Sequence, residues 1–195
     1  LAPNQVVIVP IFKTEEQFEA ITAVVNGIMT SLRGKGVSVT YDKRDTLRPG
    51  AKFAQHELQG VPLRIAIGSR DLENGTVELA RRDTLSKETT SLEGIEDKVV
   101  NLLEEIQSTL FERALDYRDA HITEVDSFEE FKSVLDQKGG FISAHWDGTT
   151  ATEDKIKEHT KATIRCIPLD AQLEEGKCVY TGKVSKQRVL FAKAY

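Results

Sequence analysis

Apolar positions along the chain alternate between two periods, and each change of period marks an element. Residues 5–12 form a short run rich in Val and Ile, as a buried strand does. Thr14 then stands as the cap of a helix over about 14–33, in which Phe18, Ile21, Val25, Ile28 and Leu32 recur on one face. Gly34 and Gly36 stop that helix, and residues 37–41 alternate as a second strand. A short helix is expected over 50–59 with Phe53 and Leu58 inward. A third strand is expected over 62–68, and Asn74-Gly75 signals a turn into a fourth over 76–82. A long helix follows over roughly 92–118, striped by Ile95, Val99, Leu102, Ile106, Leu110 and Leu115. The order β-α-β-α-β-β-α predicts an α/β fold, a mixed sheet flanked by helices.

A second unit is expected from about 119, giving domains 1–118 and 119–195. In it Ser127-Phe128-Glu129-Glu130 opens a short helix as a capping box, with Phe131, Val134 and Leu135 inward. Gly139-Gly140 ends this helix, residues 141–145 read as a strand, and Thr152 starts another helix. Residues 163–167 form a strand closed by Pro168, and 177–193 read as a hairpin around Thr181-Gly182-Lys183. This makes a small α+β domain. No internal repeat or low-complexity stretch interrupts either unit.

Length and composition leave room for one large or two small globular domains, with 39% hydrophobic and 29% charged residues among 195. No apolar run approaches membrane length. Two cysteines make no disulfide framework, so a reducing, cytoplasmic setting is expected. The chain starts at Leu1 and reads as a piece of a longer protein. Its net charge of −5 argues at first against a nucleic-acid partner, but the acid is unevenly spread. Residues 42–84 carry eight basic and seven acidic side chains, residues 93–130 carry three and twelve, and 181–195 carry four basic and none acidic. A near-balanced block suits the reading of bases better than the coating of phosphates.

That block holds the candidate chemistry. Charges sit where its strands should end, at Arg44, Asp45, Arg70, Asp71, Arg82 and Asp83, and loops at strand ends of an open sheet are where ligands bind. On composition alone the set reads as surface ion pairs around a core Phe53. Residues 48–53 (RPGAKF), 57–64 (ELQGVPLR) and 67–72 (IGSRDL), followed by 162–169 (ATIRCIPL) and 189–195 (VLFAKAY), resemble the C-terminal portion of prolyl-tRNA synthetases of the archaeal and eukaryotic type. The resemblance covers essentially the whole chain. It implies the anticodon-binding fold of class II synthetases followed by a zinc-binding-like domain. The implied partners are the anticodon stem-loop of proline tRNA and the catalytic domain of the same chain, which would hold ATP and Mg and attach proline. The parent would be a homodimer, and no membrane is involved.

Proline anticodons end in two guanines. Guanine offers N–H donors to carboxylates, while O6 and N7 accept from Arg or Lys. Unstacked loop bases also need a flat platform. The resemblance places Arg44, Asp45, Lys52, Phe53, Glu57 and Arg70 on the anticodon-facing side: Asp45 and Glu57 as acceptors, Arg44, Lys52 and Arg70 as donors, Phe53 as platform or core. Tyr195 is implied to reach the active site of the parent, against the plain reading of an edge strand ending in a surface tyrosine.

Related enzymes commonly carry four zinc-binding cysteines, at positions matching Asp147, Thr152, Cys178 and Thr181 here. Only one ligand survives, and a threonine hydroxyl is a poor zinc donor, so no metal and no other cofactor is expected in this chain. A hybrid site of His145, Asp147 and Cys178 is the alternative. Cys166 reads as a buried apolar thiol. Phosphate-loop and nucleophile motifs are absent, and His56, His121, His145 and His159 are scattered, so no catalytic residue is assigned. A stand-alone accessory or dimerisation module on the same fold is the second functional reading.

Overall fold

A computed structural model describes residues 2–169 and 171–194 and divides the chain into two compact units, Leu1–Glu112 and Arg113–Tyr195. In the first, five strands form one sheet in the order β2-β1-β3-β4-β5. The strands are β1 (Val6–Ile11), β2 (Val39–Tyr41), β3 (Leu63–Gly68), β4 (Thr76–Arg81) and β5 (Lys87–Ser91). β1 pairs in parallel with β2 and β3, and β4 and β5 extend the sheet antiparallel. Helix α1 (Glu15–Gly34) links β1 to β2, and α2 (Pro49–Leu58) links β2 to β3.

The chain steps from β1 to β2 on one side and then across β1 to β3, so α1 and α2 cover opposite faces. Alternation along the strands follows suit. Val6, Ile8, Leu63, Ile65 and Ile67 pack with Ile21, Val25, Ile28 and Leu32 of α1, whereas Val7, Val9 and Val61 pack with Phe53 of α2. The expected cap holds, with Thr14 Oγ1 accepting from Gln17 N at 3.3 Å. Ile95 and Val99 of α4 (Ile95–Ala120) join the α1-side core. Burial fades along this helix, and Leu102, Leu110 and Leu115 are only half-buried.

Two elements of this unit were not expected. Asn74-Gly75 does lead the chain into β4, but as the end of a short helix, α3 (Ser69–Asn74), which Gly75 terminates at φ +64°. β5, with the sequence KETTS, lacks an apolar signal because it lies at the sheet edge and is largely exposed. One expectation is corrected: Leu58 is 88% exposed, and the buried positions of α2 are Lys52 and His56, beside the half-buried Phe53.

The second unit holds a four-stranded sheet in the order β6-β7-β11-β8, from β6 (Ile122–Glu124), β7 (Phe141–His145), β8 (Ala162–Cys166) and β11 (Arg188–Lys193). Helices α5 (Phe128–Gln137) and α6 (Thr150–Thr160) precede β7 and β8, and Phe131, Ile156, Val189 and Phe191 share its core. Ser127 caps α5 as expected, accepting from Glu130 N at 3.2 Å. The cap of α6 is Thr149, three residues earlier than expected. Residues 177–193 are not one hairpin. β9 (Gly176–Lys177) pairs with β10 (Val184–Ser185), while β11 turns away to lie between β7 and β8. β11 is therefore an interior strand, not an edge strand. Cys166 is exposed at the end of β8, contrary to its expected burial, and Cys178 is buried. No described helix is long and apolar enough to cross a membrane.

Candidate nucleic-acid interface

The parallel strands all end on one side of the sheet, and the residues that follow them build the site. β2 gives way to Asp42, whose N–H still donates to Ile8 O at 2.9 Å and holds the loop to β1. The Asp42 carboxylate is buried and collects cations. Arg44 clamps it through Nε at 2.8 Å and Nη2 at 2.6 Å, and His56 Nε2 donates at 2.9 Å. Lys52 Nζ donates to the Asp42 carbonyl at 3.1 Å and lies 3.9 Å from its Oδ1. The Arg44 guanidinium is the main reason that the Asp42 carboxyl titrates far below the usual carboxylate range; His56 and Lys52 act in the same direction against burial. Burial pushes the Lys52 ammonium down, and Asp42 counters part of that.

Lys52 and His56 are four residues apart, so one face of α2 carries both towards Asp42. The neighbouring face carries Phe53 and Glu57, also four apart. Phe53 is half-buried, and the guanidinium of Arg64 lies over its ring, 3.5 Å from the centroid. Arg64 reaches this position because it alternates with Leu63 and Ile65 and so faces α2. Only 5% exposed, it donates through Nη1 to Glu78 across the ladder at 3.0 Å. Among the described residues its Nε and Nη2 have no partner, nor does His56 Nδ1. These side chains line a cavity of about 20 Å³ that Glu57, Arg81 and Arg82 also border.

Arg44, Asp45 and Lys52 meet in a cleft of about 430 Å³ with Phe12 and Arg48. Arg70 stands in a second cleft, of about 330 Å³, between the ends of β1 and β3, lined by Phe12, Lys13, Gln17 and Asp71. This is where the chain reverses its direction of travel across the sheet, the usual ligand crevice of open α/β folds. Gly68 fits there because a side chain would press on Ile11 O and the Asp71 carboxylate, both 3.3 Å from its Cβ position. Phe12 borders both clefts, so Arg44, Asp45 and Arg70 lie along one rim, with Lys52 buried behind it. Phe53 and Glu57 sit one step round α2.

Four residues of this site were not anticipated: Phe12, Asp42, His56 and Arg64. Arg64 had a visible signal, a lone charge within the buried run LRIAI. Asp42 and His56 did not, since a first polar residue after a strand is ordinary. Lys52 was expected to face a ligand, but it is 2% exposed and its ammonium is turned onto Asp42. Tyr195 lies outside the described residues.

The donor set of the second unit does not fit a zinc ion. Among the described residues no three His, Cys, Asp or Glu side chains come together as ligands. His145 faces Ser185 Oγ at 3.1 Å and Glu174 at 3.5 Å, while both Asp147 oxygens accept hydrogen bonds from threonines. The hybrid set of His145, Asp147 and Cys178 is therefore not assembled.

An open α/β sheet with a charged, aromatic rim at the ends of its parallel strands has the architecture in which such folds bind ligands. The chain belongs to the anticodon binding domain family, which matches residues 5–102. Its second unit matches the C-terminal domain of prolyl-tRNA synthetase over residues 128–195. Along its full length the chain is 66% identical to a proline–tRNA ligase of Flavobacterium johnsoniae and 58% identical to one of Porphyromonas gingivalis, spanning 40% and 39% of those proteins. It superimposes on a prolyl-tRNA synthetase of Cryptosporidium parvum, solved with L-proline and AMP, with a TM-score of 0.88 and 32% identity. That match covers 99% of this chain and 41% of the other. The chain thus spans about two-fifths of the length of these relatives, and its match lies in their anticodon-binding and C-terminal domains.

Proposed function

We propose that the first unit reads the two guanines of a proline anticodon, as part of a longer prolyl-tRNA synthetase that attaches proline to its tRNA with ATP and Mg bound in a separate catalytic domain. One observation carries the reading: Arg64 lies stacked on Phe53 with two nitrogens that have no partner among the described residues, in a cavity that Glu57 also lines. Guanine is the base that needs this combination, a cation for O6 or N7 and a carboxylate for N1–H and N2–H₂. A cavity of about 20 Å³ admits one atom and not a ring, so the base would stay outside and present its oxygen. Asp45, Arg44 and Arg70 on the adjoining rim are proposed to serve the second guanine. Lys52 is proposed to act by holding the Asp42 loop.

The likeness to a solved Cryptosporidium parvum enzyme supports the archaeal and eukaryotic subtype. Two free cysteines suit a reducing cytoplasm. Tyr195, which follows the interior strand β11 by two residues, is proposed to reach the parent's active site. In the parent, gripping the anticodon would place the distant acceptor end, using binding energy from a remote part of the substrate.

The test is binding of this chain to a proline anticodon stem-loop at fixed low salt, beside loops with each guanine replaced. Each replacement is expected to cost on the order of 1–3 kcal/mol. Equal affinity for all loops would reject base reading and favour an accessory module with the same fold.

A further inference from the structure

In the C-terminal unit a single carboxylate ties a β-turn to the start of a helix. Asp147 follows β7, two residues beyond its last residue, His145. Both carboxylate oxygens of Asp147 are occupied. Oδ1 accepts from Thr149 N at 3.1 Å and Thr149 Oγ1 at 2.8 Å. Oδ2 accepts from Thr152 Oγ1 at 2.8 Å and Thr181 Oγ1 at 3.0 Å. These donors come from two separate places: the first turn of α6, and the tip of the Cys178–Lys183 turn that joins β9 to β10. The same turn is closed internally by Cys178 N to Lys183 O at 2.7 Å and Gly182 N to Cys178 O at 2.9 Å. Its base is held by Val179 N donating to His145 O at 3.0 Å.

Four donors on one anion match the coordination number of a structural zinc, but with the polarity reversed. A zinc ion at the centre would draw lone pairs from four ligands. Here a carboxylate at the edge draws four protons. The positions at which zinc-bearing relatives place cysteine supply the acceptor (Asp147) and two of the donor side chains (Thr152 and Thr181). We infer that Asp147 is a metal-free clasp, which fastens the β9–β10 turn to the start of α6 and performs the tethering a zinc ion would otherwise provide. Charge-assisted hydrogen bonds to a half-buried carboxylate are strong enough for this, and they hold the carboxyl ionised. The clasp frees the fold from metal supply, because nothing in it needs a deprotonated thiol.

Three measurements test this. First, the melting temperature of the chain is expected to be the same with and without a strong chelator. A drop on chelation, with one zinc per chain by elemental analysis, would overturn the inference. Second, Asp147→Asn and Thr181→Val are each expected to speed hydrogen exchange at Gly182 N, roughly ten- to a hundredfold, with little further effect when combined. Unchanged exchange in both variants would mean that the contacts carry no tether. Third, Asp147→Cys, Thr152→Cys and Thr181→Cys together, with Cys178 as the fourth ligand, should make folding zinc-dependent. A triple variant that takes up no zinc would show that these side chains do not surround one metal-sized point.

Discussion

At the scale of single residues, the site depends on a buried charge that serves several partners. Asp42 is ringed by Arg44, Lys52 and His56, and its folded pKa is depressed. The stability it contributes is therefore complete above the unfolded carboxylate value of about 4 and is lost as pH falls through the lower folded value. Urea titrations from pH 7 down to pH 2 should show an acid decline that Asp42→Asn makes shallower, along with a loss of about 3–5 kcal/mol of stability at neutral pH. An Asn variant as stable as the parent at pH 7 would mean that the cations do not depend on this partner. Arg64 is the complementary case, a buried cation with one ion pair and a ring beneath it. The sequence shows a charge inside an apolar run but not which face it takes. Only the alternation of Leu63, Arg64 and Ile65 in register with β1 assigns it to the α2 side.

At the scale of elements, periodicity was a good guide where an element buries one apolar face. α1 carries its stripe at Ile21, Val25, Ile28 and Leu32 as read, because a long helix on a sheet has no other way to remove that area from water. α2 defeated the same reasoning. Its buried positions are Lys52 and His56, held by Asp42, so an apolar Leu58 was assigned to the core while it points to solvent. Leu58→Glu is accordingly expected to shift stability by no more than about 0.5 kcal/mol, measured by thermal or urea unfolding. β5 and α3 were missed because edge strands and one-turn helices carry little hydrophobic signal. β11 was legible as a strand but not as an interior one, since its partners β7 and β8 are far away in sequence. Phe191, packed edge-on at 5.2 Å against Phe131, is buried in that strand. Phe191→Ala should cost about 3–5 kcal/mol by the same unfolding measurement, whereas an edge-strand aromatic would cost far less.

At the scale of the whole molecule, the fold class was readable from the order of elements and from the family resemblance. The rim was legible as a set of charges at strand ends. The internal ties that shape it, Asp42 with His56 and Arg64 with Phe53, required three-dimensional neighbours. Recognition of guanine is proposed to rest on the carboxylates of Asp45 and Glu57. The most direct measurement combines a base change with a residue change. The affinity of the chain for a proline anticodon stem-loop is compared with that for loops in which each guanine is inosine, which lacks the 2-amino group, using the parent chain, Glu57→Ala and Asp45→Ala. The parent should lose on the order of 1–3 kcal/mol at each inosine, and each alanine variant should erase that loss at one guanine. If both variants keep the full penalty at both positions, these carboxylates do not read the anticodon.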